Sequence, residues 1–204
     1  DMIVALMRPT LNDLIADPAM GSAGFLVSAA QYIVRTFDQE LYRPQNRDKF
    51  KTTLFSGFDT DQSMLRIGAM NMMLHGVDNP HIVYQDSLSQ NNVERDKYTL
   101  IMANPPFTGK LFKNQVSGDL LALTQTGKTE LLFVTLFTKM LQVGGRCASI
   151  VPDGVLFGSS TAHKSLRKEL VENQRREAGR ARPSGVGQPH AGGSTAKRGC
   201  TKTN

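Results

Sequence analysis

The chain has 204 residues, room for one α/β domain with a sizeable core, and no stretch approaches the roughly 20 apolar residues of a membrane span. Two cysteines and four scattered histidines offer neither a disulfide framework nor metal-ligand spacing, so a reducing cytoplasm is the expected setting. The net charge of +6 sits in residues 175–204, which hold seven Lys/Arg against one Glu, while residues 1–174 are balanced; the basic excess is therefore no nucleic-acid signature of the body.

Residues 2–7 are apolar and helix-compatible, and Pro9 ends that run. Leu14-Ile15-Ala16 reads as a strand leading into Asp17-Pro18-Ala19-Met20-Gly21-Ser22-Ala23-Gly24. The small residues there permit a tight turn and close approach of backbone to a ligand. A helix is expected from Gly24 to about Phe37, with its N-terminus aimed at that ligand. The turn is not a dinucleotide fingerprint, lacking the third glycine, and not a Walker loop, lacking Gly-Lys-Ser/Thr. An ordinary strand-to-helix turn is the alternative. Residues 43–52 read as a polar surface connection. Residues 53–59 read as a second strand ending on Asp59, an acid that can accept both hydroxyls of a ribose. The following helix, 61–75, has its better cap in Asp61. Its stripe of Met64, Ile67, Met70 and Leu74 is read as core.

A third strand, 81–86, again ends on an acid, Asp86. The fourth, in the stretch 98–107, is an apolar run stopped by Asn104-Pro105-Pro106-Phe107. Neither proline can donate to a sheet ladder. The Asn104 amide oxygen and the Pro105 carbonyl both accept hydrogen bonds, and Phe107 offers a stacking ring. Two acceptors and a ring at a strand's carboxyl end suit a planar amino group; a plain proline turn is the alternative. Residues 108–129 read as a long polar loop. A helix over 130–143 is expected to end at Gly144-Gly145. A fifth strand follows at 146–151, with Cys147 packing as a small hydrophobe, and then a polar, amphipathic helix over 160–173.

This alternation predicts an α/β fold with a doubly wound, mostly parallel sheet in spatial order 3-2-1-4-5. Residues 17–24, 59, 86 and 104–107 should then converge at its carboxyl edge. Residues 175–204 contain no Leu, Ile, Met, Phe, Trp or Tyr, and are expected to be poorly structured, leaving the fifth strand an exposed edge. With three acids at strand ends and no phosphate-binding chemistry, the site suits S-adenosylmethionine: ribose on Asp59, the methionine part near residues 17–24.

The residues also match a family. The chain resembles the modification subunit of type I restriction–modification systems, a DNA adenine-N6 methyltransferase with a Rossmann-like fold. The resemblance spans about residues 1–174. It rests on Asp-Pro-Ala-Met-Gly-Ser-Ala-Gly-Phe-Leu (17–26), Gly-Phe-Asp-Thr-Asp (57–61), Asn71 through Gly76, Gln-Asp-Ser-Leu (85–88), Asn-Pro-Pro-Phe (104–107) and the stretch from Gly144 to Phe157. The family usually has Cys or Thr at Met20, often Gly at Ala23, and usually Glu at Asp59.

The resemblance implies that the target adenine is flipped out of the duplex. Its amino group would donate to the Asn104 side chain and the Pro105 carbonyl, with Pro106 shaping the turn and Phe107 stacking on the base. Cofactor contacts would come from Asp17, Pro18, Gly21, Ser22, Ala23, Gly24, Asp59, Asp86 and Asn104. Transfer would be direct, without a cysteine nucleophile or a metal. The implied partners are duplex DNA, a specificity subunit, a restriction subunit and a second modification subunit, with no membrane.

Asp1 is not an initiator methionine, and the chain is read as a truncated version of the family's domain, inactive by itself. Residues 1–174 are the expected catalytic core. The tail is either unstructured or an altered continuation, since Pro183-Ser184-Gly185-Val186 and Ser194-Thr195-Ala196 echo the family's next strands. Rival readings are methyltransferases of ribosomal RNA guanine or protein glutamine, which share Asn-Pro-Pro, and a non-catalytic cofactor-binding interaction subunit.

Overall fold

A computed structural model describes residues 2–172, 174–178 and 196–202. In chain order the helices are α1 (Met2–Met7), α2 (Gly24–Thr36), α3 (Asp38–Leu41), α4 (Pro44–Thr52), α5 (Gln62–Leu74), α6 (Gly118–Thr124), α7 (Thr129–Met140), α8 (Asp153–Phe157) and α9 (Thr161–Glu172). The strands are β1 (Ile15–Asp17), β2 (Phe55–Asp59), β3 (His81–Tyr84), β4 (Tyr98–Ala103), β5 (Leu141–Val151), β6 (Gln174–Ala178) and β7 (Ala196–Lys202). They form one sheet in the order β3-β2-β1-β4-β5-β7-β6. The first five are parallel and stand in the expected order 3-2-1-4-5. The order reverses beside β1, which puts the ligand crevice at the carboxyl ends of β1 and β4.

Both faces of the parallel sheet are covered, so its strands are apolar on both sides. Ile15, Phe55, Leu100 and Met102 pack with α1, α2, Phe50 of α4 and Met72 of α5. Ala16, Phe58, Ile101 and Ala103 face the other way, against α6 and α7 through Leu120, Leu132, Leu136 and Phe137. Cys147 is buried in this second cluster.

Several expectations are corrected. Residues 44–52 are helical, started by Pro44 and anchored by Phe50, which meets Phe55 edge-on at 5.6 Å. The stretch 108–129 is not all loop: α6 forms within it, and Val116, Ser117 and Leu120 are buried. Strand β5 begins at Leu141, so Gly144 and Gly145 lie inside a strand at a shift of register and not at a helix end. The stripe on α5 is not core. Ile67, Met70 and Leu74 are 38%, 56% and 81% exposed, while Leu65 and Met72 pack in the core and Gly68 faces the turn after β1. Asp61 does cap that helix, accepting from the Ser63 and Met64 N–H groups.

The tail is corrected as well. Strand β7 runs antiparallel to β5, from Arg146 opposite Thr201 to Val151 opposite Ala196, and β6 pairs with β7. The fifth strand is therefore not an exposed edge. A backbone ladder needs no large side chain, and this is why an apolar-poor segment can extend the sheet. Residues 179–195 lie outside the described residues.

The sheet's amino-terminal edge is tied by a partly buried ion pair. Arg146 donates to both Asp13 carboxylate oxygens, at 2.8 and 2.9 Å, and to the carbonyls of Met7 and Arg8 at the end of α1. Thr99 Oγ1 and the Thr10 N–H also donate to Asp13, each at 2.7 Å. Burial opposes ionisation of Asp13, but the hydrogen bonds from Arg146, Thr99 and Thr10 prevail and hold its carboxyl below the usual range. Arg146→Ala should cost about 2 kcal/mol, since it leaves the buried Asp13 carboxylate without its counter-charge and with only the Thr10 and Thr99 hydrogen bonds. The stability that Asp13 contributes is complete above its ordinary value of 3.8 and is lost as pH falls through its lower folded value. Urea titrations of wild type and variant at pH 7, and at a series of pH values below about 3.8, check both points.

Candidate active site

The turn after β1 is held open by its neighbours. Asp17 is buried, with Oδ1 accepting the Ala19 N–H at 3.0 Å. The Met20 N–H donates to the Phe58 carbonyl at 3.1 Å. Gly21 (φ +51°) and Ala23 (φ +63°) are both left-handed, a conformation that costs little at glycine and more at alanine. Asp59 bridges the turn to the next helix: one carboxylate oxygen accepts the Gly21 N–H and the other the Asp61 N–H, each at 2.9 Å. From α5, the Asn71 side-chain N–H donates to the Ser22 carbonyl at 2.9 Å. Gly68 lets that helix come close, since a Cβ there would lie 2.9 Å from Met20 Cε. The Ser87 hydroxyl donates to the Pro18 carbonyl at 2.7 Å. Helix α2 then starts from Ala23 with no side-chain cap, so its first N–H groups remain at the turn.

Two adjoining cavities open at this edge and share Ala19 and Gly21. One, of about 410 Å³, is lined by Asp17, Met20, Ser22, Gly24, Phe25 and Ser28, and by Asn104 from the end of β4. The other, of about 430 Å³, is lined by Pro18, Asp59, Asp86 and Pro106, with Leu88, Leu111 and Phe133 as apolar walls. Asp86 lies beyond the end of β3, where its Oδ1 accepts the Leu88 N–H at 3.0 Å. Pro105 is buried, and Phe107 is 40% exposed beside Pro106. Burial pushes the Asp17 carboxyl up to about 7; the Ala19 N–H opposes that, and the negative charge of Asp59 adds to it.

The structure thus brings Asp17, Gly21, Ser22, Gly24 and Asn104 around one cavity, and Pro18, Gly21, Asp59, Asp86 and Pro106 around the other. Ala23 lines neither: its side chain is in the core, and its part is the left-handed bend. Pro105 and Phe107 flank the site without lining a cavity. Sequence reasoning missed Phe25 and Ser28 on α2, and Leu111, Thr129 and Phe133 from the segment after Phe107. A signal for the first pair is their place in the first turns of a helix that starts at a ligand-facing turn. Leu111 and Thr129 come from the stretch 108–129, read as a loop, whereas Phe133 lies on the expected helix and only its place at the cavity was missed.

Comparison with known proteins bears on the family and the fold. The methylase subunit of type I restriction enzyme EcoEI from Escherichia coli is 29% identical over 192 residues, covering 93% of this chain and 38% of that protein. The EcoKI methylase subunit of Escherichia coli K12 is 28% identical over 181 residues, covering 83% and 32%. This chain therefore spans about a third of the length of these relatives. Among solved structures, the EcoKI M protein shares the fold with a TM-score of 0.80 at 24% identity, over 98% of this chain and 41% of the other. A chain solved in a study of complex assembly in a type I restriction–modification system gives 0.75 at 26% identity, over 98% and 40%. Residues 1–181 match the N-6 DNA Methylase family, and the chain belongs to it.

Proposed function

We propose that this chain is the cofactor-binding and catalytic core of a type I modification subunit, transferring a methyl group from S-adenosylmethionine to the N6 amino group of adenine in duplex DNA. The observation that carries this reading is the convergence of Asp17, Asp59, Asp86 and Asn104 around two adjoining cavities at one sheet edge. The donor set fits the cofactor. Asp17 would receive the α-ammonium in the first cavity. Asp59 keeps lone pairs for ribose hydroxyls beyond the two it gives to the backbone. Asp86 would accept from the cofactor's adenine amino group, between the apolar walls of the second cavity.

The bound cofactor supplies an electrophilic methyl group on sulfur. The chain's own work is at the target base. The Asn104 side-chain oxygen and the Pro105 carbonyl would each hold one amino proton of the flipped adenine, leaving the nitrogen lone pair to point toward the first cavity. Phe107 would cover a face of the base. Positioning and fixed dipoles carry such catalysis, and no covalent intermediate with the protein is needed. Specificity and restriction subunits, a second modification subunit and duplex DNA are the partners this reading assigns.

Calorimetric titration with S-adenosylmethionine and a tritium-transfer assay test the reading together. Asp59→Ala should weaken cofactor affinity by about 10-fold or more, the loss expected for hydrogen bonds to a charged acceptor. Label should enter adenine of duplex DNA when the partner subunits are present. Label in ribosomal RNA or peptide glutamine, with none in DNA, would overturn the choice of substrate. Cofactor binding without transfer to any of the three would leave an interaction subunit as the better reading.

A further inference from the structure

The segment that follows Phe107 folds back on itself before α7. The Leu111 N–H donates to the Gly127 carbonyl at 2.8 Å, and the Thr129 N–H to the Gly109 carbonyl at 3.3 Å. Between those two bonds Lys110 and Lys128 form an isolated antiparallel bridge. Bonds on either side of a pair, and none within it, make it the closely spaced kind, with both side chains on one face and Cβ atoms about 4.5–5.5 Å apart. Both lysines are exposed. Like charges directly opposite one another destabilise a ladder. Among the described residues the ion pairs are made by Lys51, Arg95, Lys97, Arg146 and Lys168, so neither Lys110 nor Lys128 is in one. The one acid between residues 108 and 128, Asp119, is taken up by Arg95 at 2.7 and 3.1 Å. Lys113 adds a third exposed cation, and the adjacent Phe112 ring is 76% exposed.

The fold-back is anchored at the site. Pro106, Leu111 and Thr129 all line the second cavity, so the lysines stand next to the strand end that carries Asn104. An anion between Lys110 and Lys128 would remove their repulsion, and evenly spaced phosphates are the polyanion that a base-modifying site meets. We propose that Lys110, Lys113 and Lys128, with Phe112 at the bend, form the surface on which the backbone of duplex DNA docks beside the flipped adenine. This rests on the methyl-transfer reading above for the identity of the polyanion, and on the bridge geometry for the site. The body's zero net charge makes such a local patch the more necessary, because phosphate contacts dominate duplex affinity.

The test is duplex binding by fluorescence anisotropy, from low to moderate salt, in the modification subunit assembled with its partners. The double variant Lys110→Gln/Lys128→Gln should weaken binding at least tenfold at low salt. It should also lower the slope of log affinity against log salt by about 2, close to 0.9 for each phosphate that is no longer neutralised. Phe112→Ala should weaken binding several-fold with the slope unchanged, since its contact is apolar. Lys51→Gln, on the opposite edge of the sheet, is the control and should change neither. Cofactor affinity should be that of the wild type in every variant. An unchanged slope and affinity in the double variant overturn the proposal, as does a parallel loss of cofactor binding, which would mark damage to the cavity. Tighter binding of single-stranded RNA than of duplex through the same lysines also overturns it. Lysine-dependent duplex binding by a protein that takes no cofactor would support this surface while removing the methyl-transfer reading.

Discussion

Asn104→Ala is expected to cut methyl transfer by about 10²–10³, the usual loss when one aligned acceptor or donor is removed from a preorganised site. Cofactor affinity should stay close to that of the wild type, because Asp17, Asp59 and Asp86 remain in place. The asymmetry follows from where the residue stands. Leu100 to Ala103 are completely buried and hold β4 rigid, so the strand delivers Asn104 to the cavity edge at a fixed position. Pro105 and Pro106 remove the backbone donors that could compete for its side-chain oxygen. Single-turnover methyl incorporation in the assembled complex, read beside a calorimetric titration, separates the two effects. Near-normal turnover would refute the acceptor role. Equal losses of binding and turnover would make Asn104 a cofactor ligand first.

Much of this arrangement was legible because it is local. Asp17, Asp59 and Asp86 each follow an apolar run, and a parallel sheet sends all its carboxyl ends to one edge. The strand order then needed only the βα alternation. What escaped the sequence was set by packing at a distance. The stripe Met64, Ile67, Met70 and Leu74 has the right period for a buried face, but Gly68 decides the orientation of α5. Having no side chain, it adds nothing to an apolar count, yet only there can the helix approach the turn at Gly21 and Ala23. Residues 44–52 looked like a surface connection because eight of the nine helical positions are not buried and Phe50 alone holds the helix down. The strands at 174–178 and 196–202 belong to a backbone ladder, which leaves no apolar trace. Likewise the Lys110–Lys128 register joins residues on either side of α6, and no local pattern encodes it.

Cofactor affinity should be strongly dependent on pH, with a midpoint near neutrality set by Asp17. This carboxyl is buried beside Asp59, and desolvation first, then that neighbouring charge, raise it to about 7 from an ordinary 3.8. In the cofactor-free protein the folded state therefore holds a proton that the unfolded chain has released, throughout the window between 3.8 and 7. Stability must fall as pH rises across that window, and the cost is complete above 7. A cationic α-ammonium at this carboxylate reverses the preference, since it requires the ionised form. Binding should thus be strongest above pH 7 and weaken by up to about tenfold for each unit below it, with uptake of the cofactor expelling one proton. Titrations with S-adenosylhomocysteine, which keeps the ammonium and cannot react, in two buffers of different ionisation enthalpy measure that proton directly. Asp17→Asn should bind weakly at every pH and lose the dependence. It should also flatten thermal stability between pH 5 and pH 8. Asp59→Ala should shift the stability profile of the cofactor-free protein to lower pH, because it removes the charge that helps to hold the Asp17 proton. Equal affinities at pH 6 and pH 8 would show that Asp17 does not face the cofactor's cation.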